Sequence, residues 1–185
     1  MHSSSRWALS GHRVTTGILV CSVCANIAVI AYALHLRRAL PRVEKWSSIV
    51  GSKVSSFDAK DEGGKDLRIE FPHRKPTLLY VFSPTCGYCR MNETAFQSLA
   101  QAVGSKYRVL RIALTETGLE EFKDTFRPSE PLLTSPEPGL RRALRLGSTP
   151  QTFVLSPEGT VAKVWAGYFE GPIRADVSGY FGFDF

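Results

Sequence analysis

The chain has 185 residues, enough for one domain of ordinary size and an appendage, with 23 Lys and Arg against 17 Asp and Glu. The formal charge of +6 would suit a nucleic-acid binder, but Arg6, Arg13, Arg37 and Arg38 supply +4 before any acid occurs, leaving 19 bases against 17 acids beyond Ala39. The folded part is therefore nearly balanced, and its one dense basic cluster, Arg141-Arg142 with Arg145, fits a solvated helix face rather than a phosphate-tracking stripe, so no nucleic-acid partner is expected.

Residues 1–13 form a polar tail. Val14 to Leu36 then runs for 23 residues without Lys, Arg, Asp or Glu, longer than the ~20 that a helix needs to cross a hydrocarbon core. This predicts a transmembrane anchor over 14–36. The rival is a secretory signal, since Ala31-Tyr32-Ala33 has the small-x-small form of a processing site, but the apolar run exceeds the usual ~7–15 residues of such a segment. Arg37, Arg38, Arg42 and Lys45 outnumber Arg6 and Arg13, so flanking charge alone would leave the C-terminal part in the cytoplasm. Cys21 and Cys24 lie inside this run, where cysteine serves as a small apolar residue and needs no redox role.

Residues 37–53 read as a juxtamembrane linker or short interfacial helix, with Leu40, Val43, Trp46 and Ile49 on one side. A domain is expected over 54–185. Val54–Phe57 and Leu67–Phe71 flank an Asp61-Glu62-Gly63-Gly64 turn and predict a hairpin. Thr77–Phe82 is apolar at nearly every position, as a strand covered on both faces must be. From Arg90 to Val103 the apolar residues Met91, Ala95, Phe96, Leu99 and Val103 recur at helical spacing, with Gly104 as a stop. Tyr107–Leu114 alternates as the next strand, which completes a strand–helix–strand crossover.

A short helix is expected over Glu120–Phe126, a small strand at Leu132-Leu133, and an amphipathic turn and a half over Leu140–Leu146. Gln151–Leu155 and Val161–Tyr168 flank Ser156-Pro157-Glu158-Gly159, a hairpin with proline and glycine where a turn wants them. Pro172–Tyr180 predicts a closing helix.

Chemistry concentrates at Cys86-Gly87-Tyr88-Cys89, between the buried strand and the amphipathic helix. A helix N-terminus favours the thiolate of the sulfur nearest to it, so Cys86 is the candidate nucleophile and Cys89 the resolving thiol. A purely structural disulfide across so short a loop would remove only ~2 kcal/mol of unfolded-state entropy, against about 3 for a 15-residue loop. Beyond this pair the domain offers only His73 and no further cysteine, so no metal site is expected, and Arg90 stands where haem attachment would need histidine.

Three stretches together carry a resemblance: Leu78-Leu79-Tyr80-Val81-Phe82-Ser83-Pro84-Thr85-Cys86-Gly87-Tyr88-Cys89-Arg90, Gly147-Ser148-Thr149-Pro150-Gln151-Thr152-Phe153-Val154-Leu155, and Ser156-Pro157-Glu158-Gly159-Thr160-Val161. Over roughly Val54–Gly179 the chain resembles the thioredoxin superfamily, and within it the membrane-anchored TlpA/ResA-like thiol–disulfide oxidoreductases. The resemblance implies a thioredoxin-like α/β sandwich, a central mixed sheet flanked by helices, here preceded by one transmembrane helix. It implies a redox-active Cys86–Cys89 pair with no bound cofactor. Thr149-Pro150 would be a cis-proline loop facing the cysteines, with Gly87, Tyr88, Thr149 and Pro150 binding an extended client segment.

The partners implied are protein thiols or disulfides and an upstream electron donor. The location implied is the cytoplasmic membrane with the domain on the periplasmic side, against the flanking charges. Reduction is expected, with an isomerase or oxidase using the same site, or a non-catalytic binding module, as alternatives.

Three positions depart from the family pattern. Thr85 stands where tryptophan is frequent, Tyr80 replaces the buried acid of thioredoxins, and Asn92 stands where TlpA/ResA-like proteins commonly have glutamate. Glu93 is next in line as a proton acceptor, although on a helix it points about 100° away from residue 92.

Overall fold

A computed structural model of the chain describes residues 8–39, 46 and 48–184. It forms two compact units, Met1–Val43 and Glu44–Phe185. In the first, helix α1 spans Ala8–Ala39 and contains the entire charge-free run. Among the described residues no helix is long and apolar enough to cross a membrane. Of the expected anchor Val14–Leu36, the side chains at 14–16, 18–19 and 35–36 lie outside the described residues, as do positions 1–7 of the tail and 40–45 and 47 of the linker.

The second unit is built on a five-stranded mixed sheet of order β5-β4-β3-β6-β7, with β3 Thr77–Phe82, β4 Arg108–Ala113, β5 Leu132–Leu133, β6 Gln151–Leu155 and β7 Val161–Ala166. β3 is central: it runs parallel to β4 and antiparallel to β6, and all six of its residues are buried. Because side chains alternate across a strand, Leu78, Tyr80 and Phe82 enter one core layer, while Leu79 and Val81 enter the other. The first layer is closed by helices α2 (Gly87–Val103), α3 (Leu119–Phe126) and α5 (Gly171–Phe181); the second holds α4 (Pro138–Ala143) and a two-stranded hairpin of β1 (Phe57–Lys60) and β2 (Asp66–Ile69). This is the thioredoxin-like sandwich.

α2 is 17 residues long, marginal as an isolated helix. Its buried stripe of Phe96, Leu99 and Val103 contributes ~1.5–3 kcal/mol for each large side chain, and that packing decides the helix. Phe96 stacks on Tyr80 at 4.1 Å between ring centres.

Three details differ from the sequence expectations. α2 starts at Gly87 rather than Arg90, because the Cys86 carbonyl already accepts the amides of Cys89 and Arg90 at 3.0 and 3.1 Å. The hairpin keeps Asp58–Lys60 in β1, since Phe57 and Ala59 alternate inward and the turn is closed at Asp61, whose carboxylate accepts the amides of Gly63 and Lys65 and whose backbone pairs with Lys65 and Gly64. The folded unit also reaches upstream of Val54. Ile49, placed in the linker by sequence, is only 2% exposed, and the Gly51 amide donates to Val161 while the Val161 amide donates to Ser52.

Candidate functional site

Cys86 caps the N-terminus of α2, and Cys89 sits within the first turn. The loop leading into them is held from two sides. The Cys86 amide donates to the Ser83 carbonyl at 3.0 Å. Gly118, at φ +75°, brings the start of α3 so close that a Cβ there would lie 3.0 Å from Thr85 Cγ2. Only glycine fits both that conformation and that approach.

Across from the pair, the Thr149–Pro150 peptide is cis, and the Cys86 thiol donates to the Thr149 carbonyl at 3.6 Å. Two residues 63 positions apart in sequence thus meet through the pairing of β3 with β6.

The two thiols differ in environment. Cys86 is partly exposed and Cys89 is buried. Burial opposes ionisation of Cys86, but hydrogen bonding with Thr149 and with the Cys89 thiol, joined by the amides of Cys89 and Tyr88, outweighs it and holds Cys86 below the ordinary thiol range. Burial is also the main influence on Cys89, reinforced by the neighbouring Cys86 sulfur, and pushes it up to about 12. Of the two sulfurs, Cys86 is the more acidic and the more accessible.

Tyr88 is 60% exposed and stacks on Tyr168, from the turn after β7, with ring centres 5.4 Å apart. Together with Thr149, Pro150, Glu170 and Ile173 they line an open groove beside the cysteines. The structure therefore brings Cys86, Cys89, Tyr88, Thr149 and Pro150 together. Gly87 lies exposed on the first turn of α2 and does not line the groove.

Glu93 is not a surface charge. It is 0% exposed and pairs with Arg111, itself 0% exposed, at 2.6 Å; Arg111 also reaches Glu130 at 2.8 Å. The guanidinium lies over the rings of Phe96 and Tyr80. Burial raises the Glu93 carboxyl above the usual range, with Arg111 pulling the other way. Its Oε2 has no hydrogen-bond partner among the described residues. Asn92 is a tie: its Nδ2 donates to the Tyr80 hydroxyl at 3.4 Å, and its Oδ1 accepts the Phe169 amide at 2.6 Å.

Sequence reasoning missed Arg111, Tyr168, Glu170 and Ile173. A basic residue amid the buried positions of β4 was a usable signal for Arg111. Nothing local marks the groove residues, which are brought in by the return of the chain after β7.

Comparison with known proteins agrees with this geometry. The profile of the AhpC/TSA family matches residues 50–164. A thioredoxin-like protein of Haemophilus influenzae is 27% identical over 141 residues, covering 72% of this chain and 82% of that one. The methylamine utilization protein MauD of Methylorubrum extorquens is 30% identical over 142 residues, 71% of this chain and 66% of its own length.

Among solved structures, a thiol:disulfide interchange protein DsbE from Chlorobium tepidum superposes with a TM-score of 0.60 at 16% identity, covering 71% of this chain and 94% of that one. StoA from Bacillus subtilis gives 0.55 at 18% identity, covering 70% and 97%. The fold is shared with these thiol–disulfide proteins, and the chain belongs to the AhpC/TSA family of thioredoxin-like proteins.

Proposed function

We propose that this chain is a membrane-tethered thiol–disulfide oxidoreductase that reduces disulfides of extracytoplasmic proteins through Cys86 and Cys89. The observation that carries this reading is the asymmetry of the pair: a partly exposed thiol at a helix N-terminus held below its ordinary range, and a buried partner pushed up to about 12.

In the proposed cycle the Cys86 thiolate attacks a client disulfide. A Cys86–client S–S bond forms, the client S–S bond breaks, and the departing client thiolate takes a proton from water. Cys89 then gives up its proton and attacks Cys86 Sγ, which closes the Cys86–Cys89 disulfide and releases the second client thiol. Two electrons pass from the pair to the client, and a donor dithiol restores them. No cofactor beyond the pair is required.

Glu93 is the proposed acceptor of the Cys89 proton. Residues 89 and 93 are i and i+4 on α2, hence neighbours on one face, and both are buried. The raised carboxyl is a better base near neutrality than an ordinary one. Tyr80, whose phenol interacts electrostatically with both Cys89 and Glu93, lies in the same cluster.

The reductive direction rests on the family resemblance. The Thr149-Pro150 loop and Tyr88 receive the client as an extended segment. The tether rests on the run without charge from Val14 to Leu36 and on exposed apolar residues of α1 such as Ile27, Val29 and Ile30. The extracytoplasmic placement rests on the family resemblance.

A Cys89→Ser variant in native membranes should accumulate mixed disulfides through Cys86, and the pair should titrate toward the reducing end of the thioredoxin-fold range, near about −270 mV. A potential near about −120 mV would remove the reductive direction. Failure to trap any client would remove protein disulfides as substrate.

A further inference from the structure

The mixed disulfide fixes where a client must lie. Sulfur–sulfur bonding brings the two Cα atoms to within ~4.4–6.8 Å, so residues flanking the client cysteine fall beside the Thr149 carbonyl, which already sits 3.6 Å from Cys86 Sγ. The groove that opens there is walled by the stacked rings of Tyr88 and Tyr168, floored by Pro150 and Ile173, and has one charged residue along its lining, Glu170.

Three features make this a reader of sequence rather than a passive slot. Tyr88 is 60% exposed although its ring is already stacked, so the side chain still offers a planar apolar surface. Among the described residues Glu170 has no ion-pair partner, while Lys163, Arg90 and Arg111 are each engaged with other acids. The turn that carries Tyr168 and Glu170 is pinned at Phe169 by the buried Asn92 side chain, which keeps both groove residues in place before any client arrives.

We infer that the groove selects client disulfides whose flanking segment carries an aromatic side chain and a basic side chain, the ring stacking on Tyr88–Tyr168 and the cation meeting Glu170. This rests on the oxidoreductase reading above and adds the class of client. The occupant is a polypeptide in extended form, its backbone placed to pair with the Thr149 carbonyl beside the attacking sulfur.

The test uses the reduced full-length chain and three disulfides: a peptide dimer with Phe and Arg flanking its cysteine, the same peptide with Ser and Asp in those places, and glutathione disulfide. For each protein the second-order exchange rate with a peptide is divided by that with glutathione disulfide, so any loss of folded protein cancels. Wild type should favour the Phe/Arg peptide over the Ser/Asp peptide by about 10-fold at low salt, through ring stacking and an exposed charge pair together.

Glu170→Arg should invert the charge preference and abolish its salt sensitivity of the original sign. Tyr168→Ala should remove most of the preference for Phe, and Tyr168→Phe should retain it. Equal ratios for both peptides with wild type, or ratios unmoved in Glu170→Arg and Tyr168→Ala, would overturn the groove inference while leaving the redox reading intact. Absence of exchange with all three disulfides would overturn both.

Discussion

Asn92 and Phe169 stand 77 positions apart in sequence and share a 2.6 Å hydrogen bond, side-chain oxygen to backbone amide, in the buried interior beside the cysteine pair. Through the other end of the same amide, Asn92 reaches the Tyr80 hydroxyl on the central strand. One side chain on the cysteine-bearing helix therefore ties the core strand to the turn that lines the groove. Replacing it with alanine removes the hydrogen bonds that Asn92 gives to the Tyr80 hydroxyl and takes from the Phe169 amide, at a cost of about 1–3 kcal/mol for each buried group left unsatisfied. Asn92→Ala should lower the denaturation midpoint and speed amide exchange at Phe169, while Asn92→Asp should protect that amide better than alanine does. Unchanged exchange at Phe169 in Asn92→Ala would contradict this.

Alkylation of the reduced protein should be confined to Cys86. Its rate should rise with pH through a midpoint below that of an ordinary thiol, because hydrogen bonding outweighs burial there. Cys89 should stay unmodified in the folded state throughout. The measurement is iodoacetamide labelling with mass spectrometry across pH, and equal labelling of the two sulfurs near neutrality would rule the asymmetry out.

The reduced protein should lose stability in alkali. Cys89 is raised in the fold to about 12 from 9.0, so the unfolded chain gives up this proton first and binds fewer protons than the native state between those values. The stabilising contribution is thus fully present below about pH 9 and declines toward pH 12, by at most ~1.4 kcal/mol per pH unit. Cys89→Ala should show a flatter stability profile over that interval. Parallel profiles for the two proteins would refute the linkage.

Arg111 holds two carboxylates in the interior, and its loss strands Glu93 as an uncompensated charge. Arg111→Met alone should cost roughly 3–5 kcal/mol, whereas Arg111→Met combined with Glu93→Met should recover much of it, since a buried pair replaced by apolar side chains is often close to neutral. Urea unfolding of the single and double variants decides the matter. A double variant as unstable as the single would show that the pair contributes more than mutual compensation.

Glu93→Gln keeps the shape of the side chain and removes the base. If Glu93 accepts the Cys89 proton, release of the mixed disulfide should slow by about 100-fold near neutral pH, the lower end of what a positioned base contributes. The deficit should shrink at high pH, where hydroxide takes over. The first attack by Cys86 should change little, so stopped-flow separation of the two steps distinguishes a proton role from general damage to the site.

The sheet and its order of elements were legible from local pattern. β3 is apolar along its length because both its faces are covered, β6 and β7 flank a Pro-Glu-Gly turn, and the stripe of α2 recurs at helical spacing. The cysteine pair was legible for the same reason, since its chemistry depends on a strand-to-helix junction that the chain makes within a few residues. The helix start was misplaced by three residues because a Cys-Gly-Tyr-Cys run has no hydroxyl or acidic cap to mark it, and the Cys86 backbone does that work instead.

By itself the amino-acid sequence marked the candidate sulfurs, because Cys86 and Cys89 lie within one helical turn and need no distant partner to be recognised. Only the tertiary structure decided how they are tuned and what they face. Glu93 carries no local sign of burial: it became an interior, ion-paired carboxylate when β4 brought Arg111 beneath α2. Likewise Tyr168 and Glu170 became groove residues when β7 paired with β6 and turned back at Phe169. Charge and exposure are properties of neighbours, and neighbours 18 to 77 positions away are set by strand pairing rather than by composition.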